Sequence, residues 1–442
     1  MRRVADRVLR TLARVVVAGF FRAVEVHGDA GARGTPTLVV ANHFNGFVDP
    51  VVLVRALPRM PRFLAKATLW DVVVARPFLA LAGVIPVHRR VDDADTSDNA
   101  SSFAACHRAL AAGETVAIFP EGTTHDEPRL ATVRTGAARI ALGAVADGVT
   151  DLRILPVGLT FEDKIALRSR VLVRIGRPIR LGADAAPYVA GGVPVTEDDH
   201  DAVHRLTGDI DARLRTVAPD YESRHEQGAL DLAAAVALRP HGTRRSEAVD
   251  LDRREDLAAR LGRLPEPDRE EIVRAVADYV LDLHLLGVAD EDLVADASSR
   301  RLVTRFVLRL LGVLALAAFA LTAVLVNLVP YAVVRTASRR VAAPVTKGTV
   351  RLLVAIVAFP LTWAVAAWLL VGRGWDWLGL ATAFAVVAFV TVWVMEQALA
   401  GVRELSGWRN LRDRRGFAGP VLEHRDRLVA QVLAAAGPDP LP

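Results

Sequence analysis

Cysteine is almost absent: Cys106 is the only one in 442 residues. That excludes an internal disulfide and a cysteine-built metal centre. No nucleophile motif surrounds it, so it reads as a small apolar helix residue. Lysine is nearly as scarce, with Lys66, Lys164 and Lys347 against 52 arginines. The net charge is +5, yet no nucleic-acid motif is present and the basic residues flank apolar segments. The charge is therefore read as directed at a lipid bilayer, and nucleic acid is not an expected partner. His88, His125 and Asp126 have no HExxH or cysteine cluster beside them, so no metal is expected. The acidic run 91–98 lacks the glycine and distal glutamate of a calcium loop and reads as a surface loop, with Ser97 or Asp98 capping the next helix.

What is present centres on one short run. Thr37-Leu38-Val39-Val40 is strand-like and delivers His43 into a loop, and six residues later Asp49 precedes Pro50. Asp before Pro reads as a helix N-cap with Pro at the first helical position. His43 and Asp49 then face each other across a strand–loop–helix turn. An imidazole oriented by a carboxylate is a general base poised near neutral pH. Taken alone, the pair is equally well a loop histidine beside an unrelated cap.

Asn42-His43 with Asp49 resembles the NHxxxxD motif of the glycerophospholipid acyltransferase family. Three further stretches resemble that family's later blocks, in the same order: Gly83–Arg89, Phe119-Pro120-Glu121-Gly122-Thr123, and Ile154–Gly158. The resemblance covers roughly residues 15–182. The run Asn45–Pro50, His125-Asp126, Arg168-Ser169-Arg170 and an apolar C-terminal region resemble the fungal-type glycerol-3-phosphate/dihydroxyacetone-phosphate branch and its bacterial relatives. The resemblance implies a membrane-bound O-acyltransferase of phospholipid synthesis with His43 and Asp49 as catalytic residues. The implied donor is acyl-CoA or acyl carrier protein, with no cofactor and no metal. The implied acceptor is glycerol 3-phosphate or 1-acylglycerol 3-phosphate. Substrate-binding candidates are Lys66, Arg89, Glu121, Gly122, Thr123 and Arg134. Arg89 is the candidate phosphate ligand, since guanidinium groups bind phosphate bidentately; Arg89-Arg90 also fits a solvated loop edge. Glu121 either bonds the substrate or shapes its loop. One departure stands out: Thr124 occupies the place where the commoner pattern has arginine. Arg129, Arg134 or Arg139 are the possible replacements, and Arg134 is best placed, at the start of a helix. Oxyanion donors are expected among backbone N–H groups of the His43 loop or Gly122. Two alternatives stay open: an acceptor such as dihydroxyacetone phosphate or another lysolipid, and a non-catalytic lipid-binding membrane protein that kept the fold.

The organisation follows from patterning. Residues 1–36 hold an amphipathic helix (4–24) and a lead-in, either interfacial or packed on the core. Residues 37–182 form the catalytic domain. Strands are expected at 37–41, 62–65, 84–87, 115–118, 154–160 and 171–175, and helices at 50–57, 70–81, 99–112 and 134–146. That alternation predicts an α/β fold with a mostly parallel sheet flanked by helices. Residues 183–300 read as a charged helical region, with helices at 199–217, 222–238, 247–262 and 267–287. Residues 301–400 are the membrane region and 401–442 a basic tail. Leu310–Val334, Leu352–Gly372 and Trp377–Met395 carry no charge, and each is long enough for a bilayer of about 30 Å. The basic loops at 335–351 and after Met395 predict a cytoplasm-to-cytoplasm hairpin for the last two, in the cell membrane, with the catalytic domain facing the cytoplasm. The first is basic on both sides, so it is expected to enter and return, or to lie partly in the interface, interrupted at Asn327 and Pro330; the alternative is a full crossing.

Overall fold

The computed structural model describes residues 2–437 apart from 32–33, 72–75, 89–98, 165, 183–188, 191–192, 246, 296–303, 305, 309, 313–316, 343 and 373–375. The chain forms two compact units: Met1–Asp220 with Ala342–Thr349, and Tyr221–Val341 with Val350–Pro442.

The first unit is built on β2 (Thr37–Ala41), whose five residues are all buried. A continuous Leu/Val run with no polar alternation suits a strand covered on both faces. It pairs in parallel with β5 (Thr115–Ile118) on one side and β6 (Leu152–Phe161) on the other. Beyond β5 lie β3 (Arg62–Lys66) and β4 (Ile85–Val87), also parallel. Beyond β6 lies β7 (Arg170–Ile175), antiparallel to it, and then β1 (Ala23–His27), parallel to β7. β8 (Ile179–Leu181) pairs antiparallel with β6. The mostly parallel α/β fold and all six expected strands are present. β1, β8 and a short antiparallel pair, Val189–Ala190 with Val193–Pro194, are additions. β1 is a five-residue edge strand of mixed polarity with no apolar run to announce it.

The helices are α1 (Arg2–Phe20), α2 (Val48–Ala56), α3 (Arg76–Ala82), α4 (Asn99–Ala111), α5 (Gly136–Ala146) and α6 (His200–Arg215). Cys106 and Leu110 of α4, Ile140 of α5 and Leu206 and Ile210 of α6 share a core with Leu38 and Val40 of β2. α6 thus belongs to this core despite its charged composition, because Val203, Leu206, Ile210 and Leu214 recur at helical spacing. Where one helix was expected over 70–81, a 3-10 turn (Ala67–Asp71) and α3 are found, with 72–75 outside the described residues. Pro77 is tolerated only in a first turn, which sets the start of α3. In α1, Ala13, Val17 and Phe20 are buried while Val4, Val8, Leu12 and Val15 are exposed. The helix therefore packs on its domain and also presents an exposed apolar face. Arg10 fixes it by donating to the Leu57 and Pro58 carbonyls just past α2, at 2.9 and 2.6 Å.

The second unit is helical. α7 (Arg224–Ala237), α8 (Leu251–Gly262), α9 (Glu266–Leu286) and the helix Arg415–Ala436 share a core that includes Leu230, Leu257, Ile272, Tyr279, Leu428 and Val432. The C-terminal stretch, read from composition as a basic tail, is thus helical through Ala436. Three long helices follow: Ala317–Arg339, Pro344–Val371, whose residues up to Thr349 belong to the first unit, and Asp376–Asp413. The segments Thr346–Val371 and Asp376–Asp413 are long and apolar enough to cross a membrane. The interruption expected at Asn327 and Pro330 is not found. The helix Ala317–Arg339 runs through both, and Asn327 Oδ1 accepts a bond from Trp363 Nε1 at 2.9 Å. A proline removes one helical N–H, and a long helix absorbs that loss without ending.

Asp231 of α7 carries a buried Oδ1 with no hydrogen-bond partner. Burial pushes its carboxyl up to about 8, Glu255 adds to the rise, and Arg254 opposes it. The folded state therefore holds a proton that the unfolded chain loses near pH 4. Stability falls as pH rises from about 4 through 8. The neutral Asp231→Asn variant is expected to unfold at a higher temperature than the wild type at pH 8, with the gap closing toward pH 4. Parallel thermal melts across that window check it, and a constant gap refutes it.

Candidate active site

The site lies where β2 and β5 end, at the carboxyl edge where open parallel sheets bind ligands. β2 stops at Ala41. Asn42, fully buried, clips the chain there: its Nδ2 donates to Leu159 O at 3.0 Å and its Oδ1 accepts from Leu159 N–H at 2.7 Å. This side chain continues the β2–β6 ladder for one more step and sets where His43 leaves the sheet. No role was assigned to Asn42 from the sequence, although it is the first residue of the recognised motif.

His43 Nδ1 lies 2.8 Å from Asp49 Oδ2. Asp49 is fully buried, while the His43 side chain keeps 17% of its surface. The same Oδ2 accepts the Asn45 N–H at 2.8 Å, and the buried Oδ1 has no partner. The contact assigns the Nδ1–H tautomer to neutral His43 and leaves Nε2 as the basic nitrogen. The imidazole is stacked on Phe119, with ring centroids 4.0 Å apart and planes at 15°. One detail corrects the sequence reading. Asp49 is not the N-cap of α2: Phe47 is, and Asp49 sits within the first turn. Its carboxylate is committed to His43 and to a backbone N–H upstream, so it is not free to cap its own helix.

Glu121, 1% exposed, follows β5. Its Oε1 accepts the His43 N–H at 2.7 Å, its Oε2 accepts the Ala131 N–H at 2.9 Å, and His125 Nε2 bonds the same Oε2. Between the two roles left open for Glu121, the geometry is that of a loop-shaping residue. It ties the β2 loop to the β5 loop. Gly122 adopts φ +71°, and its N–H donates to Phe119 O at 3.0 Å. That N–H is spent inside the turn, which removes Gly122 from the oxyanion donors.

The remaining candidates are more scattered. Arg134 is exposed, and its Nε donates to Glu121 O at 3.1 Å, so it stands at the site with a guanidinium edge toward solvent. Thr123 is exposed beside it, and Lys66 is exposed at the end of β3. Arg89, and the proposed caps Ser97 and Asp98, lie outside the described residues. Lys164 is a further cation that the motifs did not point to. Its Nζ bonds Asp126 at 2.8 Å and lies 4.9 Å from the centroid of the Phe44 ring, in the residue after His43. The lysine scarcity was its only signal. Cys106 is buried in the α4 core, away from these residues, and burial pushes its thiol up to about 12.

The Acyltransferase family model matches residues 23–160. Over 134 residues the chain is 32% identical to glycerol-3-phosphate O-acyltransferase 2 of Saccharomyces cerevisiae, covering 29% of this chain and 17% of the yeast protein. Over 131 residues it is 27% identical to the chloroplastic 1-acyl-sn-glycerol-3-phosphate acyltransferase LPAT1 of Arabidopsis thaliana, covering 30% of this chain and 33% of the plant protein. The chain thus spans a third or less of the length of these relatives. The crystal structure of the 1-acyl-sn-glycerophosphate (LPA) acyltransferase of Thermotoga maritima aligns over 47% of this chain and 80% of its own, at 17% identity and a TM-score of 0.33. The matched stretch holds β1 through most of β6 and the whole His43–Asp49–Glu121 constellation, so residues 23–160 are an acyltransferase domain, similar in sequence to glycerol-3-phosphate and 1-acylglycerol-3-phosphate acyltransferases.

Proposed function

We propose that the protein is a membrane-bound O-acyltransferase that moves an acyl chain from acyl-CoA, or acyl carrier protein, to glycerol 3-phosphate or 1-acylglycerol 3-phosphate. The observation that carries this reading is the 2.8 Å contact of His43 Nδ1 with the buried Asp49. Nε2 takes the proton of the acceptor hydroxyl, and Asp49 stabilises the imidazolium that forms. The acceptor oxygen bonds to the thioester carbonyl carbon, and the C–S bond breaks as the tetrahedral intermediate collapses. The imidazolium then returns its proton to the departing thiolate. No covalent acyl-enzyme is required. Arg134, exposed at the site, is the described guanidinium best placed to meet an acceptor phosphate, with Lys66, Thr123 and Arg89 as further substrate-binding residues. A cytosolic donor requires a domain on the cytosolic face, and the basic 335–351 loop supports the same side for the start of the helix Pro344–Val371.

Membranes containing the protein, offered labelled glycerol 3-phosphate, dihydroxyacetone phosphate and lysophosphatidic acid with long-chain acyl-CoA, are expected to acylate one acceptor. His43→Ala should lower the rate at least about 10²-fold, the low end of general-base contributions. Transfer unchanged in that variant removes His43 from the role. A protein that binds lipid but transfers to none of the acceptors, from either donor, sinks the enzymatic reading. Cys106 supplies a complementary test. A thiol buried in the core and held almost wholly protonated at pH 7 is neither nucleophile nor ligand. Cys106→Ala should transfer at the wild-type rate; a loss beyond about tenfold in a folded variant contradicts a mechanism without a thiol.

A further inference from the structure

The segment Ala342–Thr349 folds with the first unit, far in sequence from the rest of it. Its last two residues, in the opening turns of the helix Pro344–Val371, meet the loop that carries His43. Phe47 stands at the N-cap of α2 and provides no side-chain cap of its own. Its N–H donates to Thr349 Oγ1 at 3.0 Å, a bond between residues 302 apart. Helix N-termini leave N–H groups without intrahelical acceptors, and that of the N-cap residue is commonly met by a side-chain oxygen three residues on, where α2 has Pro50. In α2 the oxygen on the Phe47 N–H comes from a distant segment.

The approach is close enough to require glycine on both sides. Gly46 sits at φ +41°, and a Cβ there would collide with Thr349 Oγ1. A Cβ on Gly348 would collide with Asn45 Oδ1. Asn45, 1% exposed, also donates Nδ2 to Lys164 O at 3.2 Å and its N–H to Asp49 Oδ2. Asn45 and Phe47 are therefore each held from outside the loop, and Gly46 between them lies close against Thr349. The next two residues are Val48 and Asp49, and Val48 N–H closes back on Asn45 O at 2.9 Å. Slack at Phe47 passes directly to the carboxylate that orients His43.

We propose that Thr349 is a positioning residue for acyl transfer. Its hydroxyl supplies an N-terminal acceptor that α2 lacks locally, and so holds Asp49 Oδ2 on His43 Nδ1. Gly46 and Gly348 provide the close fit that brings the hydroxyl there. Thr349 touches no reacting atom, and its effect rests on the general-base role proposed above.

The test compares Thr349→Val, which keeps the shape and removes the acceptor, with Thr349→Ser, which keeps the acceptor, in the full-length protein in membranes. Thr349→Val is expected to lower kcat about three- to tenfold, the scale of one lost hydrogen bond, with KM for donor and acceptor within about twofold. Thr349→Ser should stay near the wild type. Amide exchange over residues 42–50 should quicken in Thr349→Val and not in Thr349→Ser. If Thr349→Val loses the fold, seen as exchange rising throughout the domain, Thr349→Ala carries the same comparison. An unchanged kcat, unchanged exchange at Phe47, or equal damage from serine and valine overturns the proposal. A wild type that transfers to no acceptor overturns the general-base reading and this proposal together. Equal transfer by wild type and Thr349→Val overturns this proposal alone.

Discussion

A fully buried carboxylate is the constraint around which the first unit is arranged. Asp49 has lost its water, and burying an unpaired charge is costly enough that the fold must bring donors to it. Two arrive, the His43 ring and the Asn45 N–H, and both reach the same oxygen. The arrangement holds only if β2 ends where it does and α2 begins where it does. The Asn42 clip on Leu159 fixes the first of these positions. Glu121 repeats the device one strand away: a second buried carboxylate satisfied by backbone N–H groups and a histidine. Neither acid is at the surface to attract an ion. Each is an internal anchor for a loop that would otherwise be free.

The sheet order explains why the motif blocks converge. The chain leaves β2, β3, β4 and β5 at the same edge, because these four strands run parallel. Residues just past their ends are thereby gathered whatever their sequence separation. That is why His43, Lys66 and Glu121, each just past or at a strand end, belong to one edge of one domain. The antiparallel β7 and β8 close the other flank and leave that edge open.

Much of this was legible. β2, β5, β6 and β7 announce themselves by β-branched and leucine-containing apolar runs, and the ordered motif blocks point to the acyltransferase domain that the match over 23–160 finds. What was missed has definable physical reasons. β1 is too short and too polar in alternate positions to differ from a loop. The Asp-Pro pair pointed to a cap, because local sequence favours Asp there; a competing tertiary partner, His43, took the carboxylate instead. Asn327 and Pro330 looked like a break because both are poor helix formers, but a Trp363 indole gives the asparagine its partner and the helix continues. Thr349 was invisible, since a hydroxyl 302 residues away carries no pattern in the sequence near Phe47. The Thr124 departure was legible, and the structure adds that Arg134 is exposed and pinned through Nε to the Glu121 carbonyl.

The second unit obeys the same rule from the opposite sign. Arg425 lies in what reads as a basic tail, yet it is 2% exposed. Its guanidinium donates to Asp290 Oδ1 at 2.7 Å and to the Val236 and Arg239 carbonyls at 2.9 and 2.7 Å. Those carbonyls end α7, where a helix has acceptors to spare and its dipole favours a cation. Tyr279 donates to the same Asp290 oxygen at 2.7 Å. Three long helices and the short helix Asp290–Val294 are thus registered on one buried charge, as the end of β2 and the start of α2 are registered on Asp49. The partners of Arg425 lie far away in sequence, unlike those of Asp49, so composition marks the residue as charged while only the fold reveals that it is internal. A charged residue inside a helical apolar pattern, as Arg425 is between Val421, Leu428 and Val432, is the sequence signal that tells such an anchor from a solvated one.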